Sequence, residues 1–266
     1  MQIQQTTCPI CECDVLAGGE TLSNRMLAKC HSCGHEFASA YDKNELAEIY
    51  KRDYYANSND ERIDQWLAEN RLVWEDLAKD LGGPEKTLLD VGAGTGGFII
   101  EYKKLFPSTR VFAIESSNEA CDALKKHIPD IEIIANDIND LADTTQKFSA
   151  IVCLQCFEHF FNPQHACNKM YELLEDSGRL LVAVPNRKSY QTLLKGKAKS
   201  LCYGNPTHLH FFDDSTMKKM LKNSGFSIIR RIVKFGGMGH KNIKAFAQYA
   251  LRQLGISNEL RYIVSK

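Results

Sequence analysis

No apolar stretch of this 266-residue chain approaches the roughly 18 residues of a membrane-crossing helix, so no membrane span is expected. The opening residues, MQIQQTTCPIC, lack the basic start and apolar run of a secretory signal, and a cytoplasmic protein is expected. Internal repeats and low-complexity segments are also missing. Net charge is zero, with 33 Lys and Arg against 33 Asp and Glu. That balance hides a local scarcity. Residues 187–266 hold 3 acidic residues against 16 basic ones, with no acid between 187 and 212, whereas residues 1–186 hold 30 against 17. Such asymmetry concerns partners rather than fold, and the basic tail is the side to watch. Cysteine is not scarce: there are 10. A cytosolic chain of this size does not need disulfides, so the thiols call for another explanation. With 44% apolar and 25% charged residues, the chain reads as one large globular domain, or a domain plus a small module.

What is present is organised around Leu88–Phe98, LLDVGAGTGGF. An apolar run at about 86–91 feeds a turn with Gly92, Gly94 and Gly96, which reads as a buried strand, a tight loop and a helix N-terminus. Glycine there permits positive φ and lets a ligand approach the backbone. Gly92-x-Gly94-x-x-Gly97 also fits a dinucleotide fingerprint. Asp90 opposes that reading, because a carboxylate beside a pyrophosphate is costly. Glu115 ends the next strand, at 111–114, where it can hold two ribose hydroxyls. Asp137 follows a further β-like run, 131–135, and can accept from an adenine amino group. Three acids at successive strand ends suit a cationic cofactor.

These residues, with Asn136-Asp137, FSAIVCLQCFEHFFNP (148–163), GRLLVAVPN (178–186), HLHFF (208–212) and NSGF (223–226), resemble a class I S-adenosylmethionine-dependent methyltransferase. The parts arrive in that family's order from about Lys86 to Phe226. The resemblance implies S-adenosyl-L-methionine as cofactor, with Asp90 at its amino-acid end and Glu115 at its ribose. Gly92, Gly94, Gly96, Asp137 and Gln155 would complete the cofactor site. It also implies an α/β fold: a doubly wound, seven-stranded, mostly parallel Rossmann-like sheet. Its last two strands would form an antiparallel hairpin from about 226–233 and 259–264.

Cys8-x-x-Cys11 and Cys30-x-x-Cys33, with 18 residues between the pairs, have the spacing of a four-thiolate zinc ribbon. Each pair can close a knuckle, and four thiolates leave no position open for catalysis, so the expected zinc is structural. Cys13 could replace Cys11, and His31 and His35 are weaker substitutes. The alternative is four unrelated buried or redox cysteines. Helices are expected at 43–50 and 60–81, with Tyr54-Tyr55 between them either lining a pocket or packing on the core. Further helices are expected at about 117–127, opened by a Ser116/Glu119 capping box, and at 163–174, behind an Asn162 cap and Pro163. Two more fall at 214–223 and 242–254. The expected domains are a ribbon over 1–42, a helical connector over 43–85 and a methyltransferase domain over 86–266. Basic insertions at 187–207 and 235–256 interrupt the last.

Chemistry is expected where Glu158-His159 follows the strand at 150–154, near the cofactor's methyl group. A hydroxyl acceptor must lose its proton, and an imidazole near its ordinary pKa of about 6.5 suits that task. His159 is the first candidate base and His208 and His210 are the next. The pair can equally only shape the pocket. The Asn-Pro-Pro-aromatic run usual for nucleic-acid base methylation is absent. A ribbon followed by this core and Glu-His is similar to nucleotide-sugar methyltransferases, although their large additional C-terminal domain is lacking. The expected reaction is methylation of a hydroxyl on a sugar or phosphate-bearing carbohydrate precursor. Arg187, Lys188, Lys195, Lys197 and Lys199 suggest a phosphorylated or nucleotide-linked small-molecule acceptor. The alternatives are a zinc-containing RNA methyltransferase and a non-catalytic S-adenosylmethionine-binding module.

Overall fold

The computed structural model describes residues 2–15, 19–50, 60–141, 144–233, 250–251 and 253–266. Tyr54-Tyr55, Gly236-Gly237 and most of the helix expected at 242–254 lie outside the described residues. Four strands come first: β1 (Gln2–Gln4), β2 (Thr21–Leu22), β3 (Arg25–Lys29) and β4 (Glu36–Asp42). They pair antiparallel in the order β1-β4-β3-β2. Helices α1 (Lys43–Tyr50) and α2 (Asp60–Leu81) follow. Strands and helices then alternate: β5 (Thr87–Val91), α3 (Gly97–Leu105), β6 (Arg110–Ile114), α4 (Asn118–His127) and β7 (Glu132–Ala135). After these come β8 (Phe148–Leu154), α5 (Pro163–Leu173) and β9 (Leu174–Pro185). The last part holds α6 (Tyr190–Lys195), α7 (Leu201–Gly204), β10 (His210–Phe211), α8 (Asp214–Asn223), β11 (Ser227–Arg231) and β12 (Glu259–Ser265).

The central sheet has the order β11-β12-β9-β8-β5-β6-β7. Strands β5 to β9 run parallel, and β12 is antiparallel to both neighbours. Helices cover both faces of such a sheet, which is why β5, β8 and the second half of β9 (180–185) are mostly buried and apolar. Strand order reverses beside β5, so a crevice opens past the carboxyl ends of β5 and β8. The helices begin where side chains can cap them. Asn162 accepts from the His165 N–H ahead of Pro163. At α4 the cap is Ser117, which accepts from the Ala120 N–H; the sequence had suggested Ser116. Gly97 lets α2 lie on α3, since a Cβ there would come within 2.4 Å of the Trp74 ring.

The cysteine-bearing sheet is joined to the rest by backbone pairing. Strand β10, the HLHFF segment, adds to β4 with His210 opposite Phe37 and Phe211 opposite Glu36. Beside it, the Ala38 N–H donates to the Leu209 carbonyl at 2.8 Å. Cys8, Ile10, Cys30 and Phe37 are buried in the same apolar cluster as Phe212, Met217 and Phe226. The packing therefore runs without a gap across the boundary expected at residue 42.

Candidate functional site

The glycine loop follows β5 with φ of 75° at Gly92, 54° at Gly94 and 86° at Gly96. Those values favour glycine, and at Gly92 an added Cβ would also stand 2.4 Å from Cys156 Sγ. The loop is tied to the end of β6. Gly94 N–H donates to one oxygen of Glu115 and Ser117 N–H to the other, each at 2.8 Å. A carboxylate has about four acceptor positions, so Glu115 keeps capacity for a ligand. A cavity of about 450 Å³ lies against this loop, lined by Gly92, Glu115, Asn136, Asp137, His159 and Phe160 among others. Asp137 accepts from the Asn139 backbone N–H at 2.8 Å, which fixes its carboxylate at the rim. Asp90 sits within β5 beneath the loop and does not line the cavity. Burial, and then the charge of Glu115, push its carboxyl up to about 8.

A second cavity, of about 670 Å³, opens on the other side of the turn after β8. Gln155, Glu158, His159, Lys199, His208 and Glu259 are among its walls. Gln155, expected at the cofactor, instead faces this space and donates to Glu259 Oε2 at 3.0 Å. Its φ of 54° is unusual for a residue with a side chain and marks strain at the cavity mouth. His159 lines both cavities.

Its ring is held by a hydrogen bond between Nδ1 and the Thr207 carbonyl at 3.1 Å. His208 is held the same way by the Cys202 carbonyl at 2.7 Å. A carbonyl only accepts, so both Nδ1 atoms carry the hydrogen and both Nε2 atoms present lone pairs. These face Glu158 Oε1 at 4.0 and 3.9 Å. Burial lowers His159 to about 4 and His208 to about 3, so both rings are neutral near pH 7. The expectation of an imidazole near 6.5 does not hold, and His159 alone is a poor proton acceptor. Burial has the opposite effect on Glu158, raising it to about 8. His210 reaches neither cavity. Its Nε2 bonds the Phe160 carbonyl at 2.9 Å and its Nδ1 meets His35 Nε2 at 3.3 Å, so it joins the cysteine-bearing sheet to the core.

In that sheet the sulfurs of Cys8, Cys11, Cys30 and Cys33 lie within 4.8 Å of one another. Cys8–Cys33 and Cys11–Cys30 approach to 3.5 Å. Four thiolates about 2.3 Å from one zinc stand roughly 3.8 Å apart, so the cluster fits that ion. Gly34, at φ 76°, closes the second knuckle with its N–H on the Cys30 carbonyl. Cys13, His31 and His35 are not part of the cluster.

Residues 56–231 match a family model described as a methyltransferase domain. The chain belongs to that family. It is an S-adenosylmethionine-dependent methyltransferase. It is 24% identical over 164 residues to a demethylmenaquinone methyltransferase of Thermotoga maritima, covering 54% of this chain and 71% of the relative. It is 30% identical over 135 residues to a ubiquinone biosynthesis O-methyltransferase of Alkalilimnicola ehrlichii, covering 48% of this chain and 54% of the relative. The fold is shared with the plantazolicin methyltransferase BpumL in complex with SAH: TM-score 0.56, 14% identity, 84% of this chain and 98% of that one.

Several residues that build this methyltransferase's site carry no motif. Arg25, buried in β3, donates to the carbonyls of His208 and Tyr203 and so holds the segment that bears His208. Arg187 is not a free cation over the cavity entrance. It donates to Glu36 Oε1 at 2.5 Å, to Asp213 Oδ2 at 2.5 Å and to the Gly34 carbonyl at 2.9 Å. Lys188 pairs with Asp213 at 2.8 Å, and Lys197 with Glu20 at 3.0 Å and Glu36 at 3.3 Å. Three of the five basic residues read as phosphate ligands are thus paired to acids, two of them to acids of the cysteine-bearing sheet. Lys199 lines the larger cavity. Acids some 150 residues away in sequence leave no trace in a local charge count.

Proposed function

We propose that this methyltransferase moves the methyl group of S-adenosylmethionine to a hydroxyl of a small polar acceptor held in the 670 Å³ cavity. The observation that carries this reading is His159, which lines both the glycine-loop cavity and the larger one. In this reading Glu115 holds the ribose and Asp137 the adenine, while Asp90, buried beneath the glycine loop, supports the loop rather than touching the cofactor. The acceptor's hydroxyl rests beside His159, in line with the sulfonium methyl. As the oxygen–carbon bond forms, the carbon–sulfur bond breaks, its electron pair staying on sulfur and the hydroxyl proton passing to solvent. Alignment of the two reactants supplies much of the acceleration in such a displacement. His159 therefore acts chiefly by positioning.

Oxygen as the methylated atom agrees with the name of the ubiquinone biosynthesis O-methyltransferase. The names of two relatives point to quinone-type acceptors, but the lining here includes Gln155, Asn205, Asn258 and Glu259. Such a wall supports a hydroxyl-rich, sugar-like acceptor. The internal pairing of Arg187, Lys188 and Lys197 weighs against a phosphate as its main anchor. The four cysteines are proposed to hold one structural zinc, making the N-terminal sheet a zinc ribbon. The test is transfer of a labelled methyl group from S-adenosylmethionine to matched acceptor panels: free sugars, sugar phosphates, nucleotide sugars and quinols. Product on a neutral sugar hydroxyl supports the reading; product confined to quinols overturns the sugar assignment.

A further inference from the structure

Among the described residues, neither carboxylate oxygen of Glu158 meets a hydrogen-bond partner, although the residue is 1% exposed. Its own backbone amide lies near but is not aligned as a hydrogen bond. Leaving a buried acid in this state is costly unless something else satisfies it. The groups that face it are the Nε2 atoms of His159 and His208, at 4.0 and 3.9 Å. Both are lone pairs, because each ring gives its Nδ1 hydrogen to a backbone carbonyl. Three acceptors thus converge with no donor among them.

Separations near 4 Å are too long for hydrogen bonds. They are wider by about 0.5–1 Å than the roughly 3.0–3.4 Å between two donors each about 2.1 Å from a common ion, a gap that small side-chain shifts on binding would close. Ligating histidines are commonly oriented by a carbonyl on the second ring nitrogen, as both rings are here. The ligand atoms all fall within 4.8 Å of one another on the wall of the larger cavity. We propose that Glu158, His159 and His208 form a divalent-cation site that receives the acceptor's hydroxyl oxygen. Two imidazoles and one carboxylate suit a first-row ion such as Mn²⁺, Fe²⁺, Co²⁺ or Zn²⁺ and leave coordination positions open to the acceptor. Coordination there lowers the pKa of the hydroxyl, whose proton leaves to solvent before or as its oxygen attacks the methyl carbon. The methyl–sulfur bond breaks and the sulfur keeps the pair, so no oxidant or reductant is needed. This rests on the acceptor reading above and supplies the activation that a buried imidazole cannot.

The experiment uses the full chain with its endogenous metal and Mn²⁺ as the added probe, an ion that favours carboxylate and imidazole over thiolate. Mn²⁺ binding is followed by electron paramagnetic resonance, and S-adenosylmethionine binding by calorimetry on the same samples. The expected result is one added Mn²⁺ per chain, with nitrogen couplings from imidazole in the pulsed spectrum of the unaltered protein. Glu158→Gln and His208→Gln are each expected to weaken Mn²⁺ by at least about 10-fold while cofactor affinity holds. Absence of Mn²⁺ binding by a chain that binds the cofactor overturns the cation site and leaves the methyl-transfer reading standing. Mn²⁺ binding without imidazole couplings, or unchanged in both variants, also overturns it. Failure of the unaltered chain to bind the cofactor would instead remove the reading on which the site depends.

Discussion

Replacing Arg187 by Met isolates the joint between the cysteine-bearing sheet and the methyltransferase core. The guanidinium is 8% exposed and lies between the carboxylates of Glu36 and Asp213, 11% and 2% exposed. Removing one member of a buried ion pair costs about 3–5 kcal/mol, because the remaining charge is left buried and uncompensated. Here the orphaned acids keep other partners. Glu36 still accepts from Tyr203 at 2.5 Å, and Asp213 keeps Lys188 at 2.8 Å and the Thr216 N–H at 2.9 Å. The loss should therefore fall near the low end, about 3 kcal/mol. For a chain of this size that corresponds to a fall in Tm of about 6–12 °C by calorimetry. Adding Asp213→Asn to the variant removes one orphaned charge and should recover part of the loss. The Arg187 guanidinium also bonds the Gly34 carbonyl in the second knuckle, so release of the proposed zinc to a chromogenic chelator should quicken. A loss below about 1 kcal/mol, with no recovery in the double variant, would refute the view that this triad welds the two parts together.

Glu115→Ala should weaken S-adenosylmethionine by about 1.5–3 kcal/mol, the range for hydrogen bonds to a charged group, read by calorimetry as roughly 10- to 150-fold. Asp90 gives a pH signature. Its carboxyl lies near 8 in the folded chain and at 3.8 ordinarily, so between those values the folded state holds a proton that the unfolded state has lost. Its contribution to stability is therefore intact below about 3.8 and erodes as pH rises to about 8. Thermal denaturation without cofactor at pH 5 and 9 should show a larger fall for the unaltered chain than for Asp90→Asn, and equal falls would count against a buried, proton-bearing Asp90.

Much of the sheet was legible because parallel strands covered on both faces are short apolar runs bounded by Gly, Pro and Asn. The bounds 60–81, read from helical spacing, and 214–223, read as a helix stopped by Gly225, coincide with α2 and α8. The glycine loop was legible for a steric reason, as positive φ and the contact with Cys156 leave no room for a Cβ. Placement of Gln155 was not, because a left-handed residue turns its side chain away from where a regular strand end would send it. Nor was the joining of β10 to β4, since pairing across some 170 residues leaves no periodicity in either strand. The fate of the basic insertion followed from that hidden pairing, which brings Glu36 beside Arg187 and Lys197.

The central claim is that cofactor and acceptor occupy separate cavities that meet at His159. It is tested most directly by His159→Gln, with S-adenosylmethionine affinity and methyl transfer measured on one preparation. Affinity is expected to stay within about threefold while turnover falls by at least about 10²-fold, since misplacement at the reacting centre costs that much. Turnover within threefold of the unaltered enzyme, or equal losses in cofactor affinity and turnover, would contradict it.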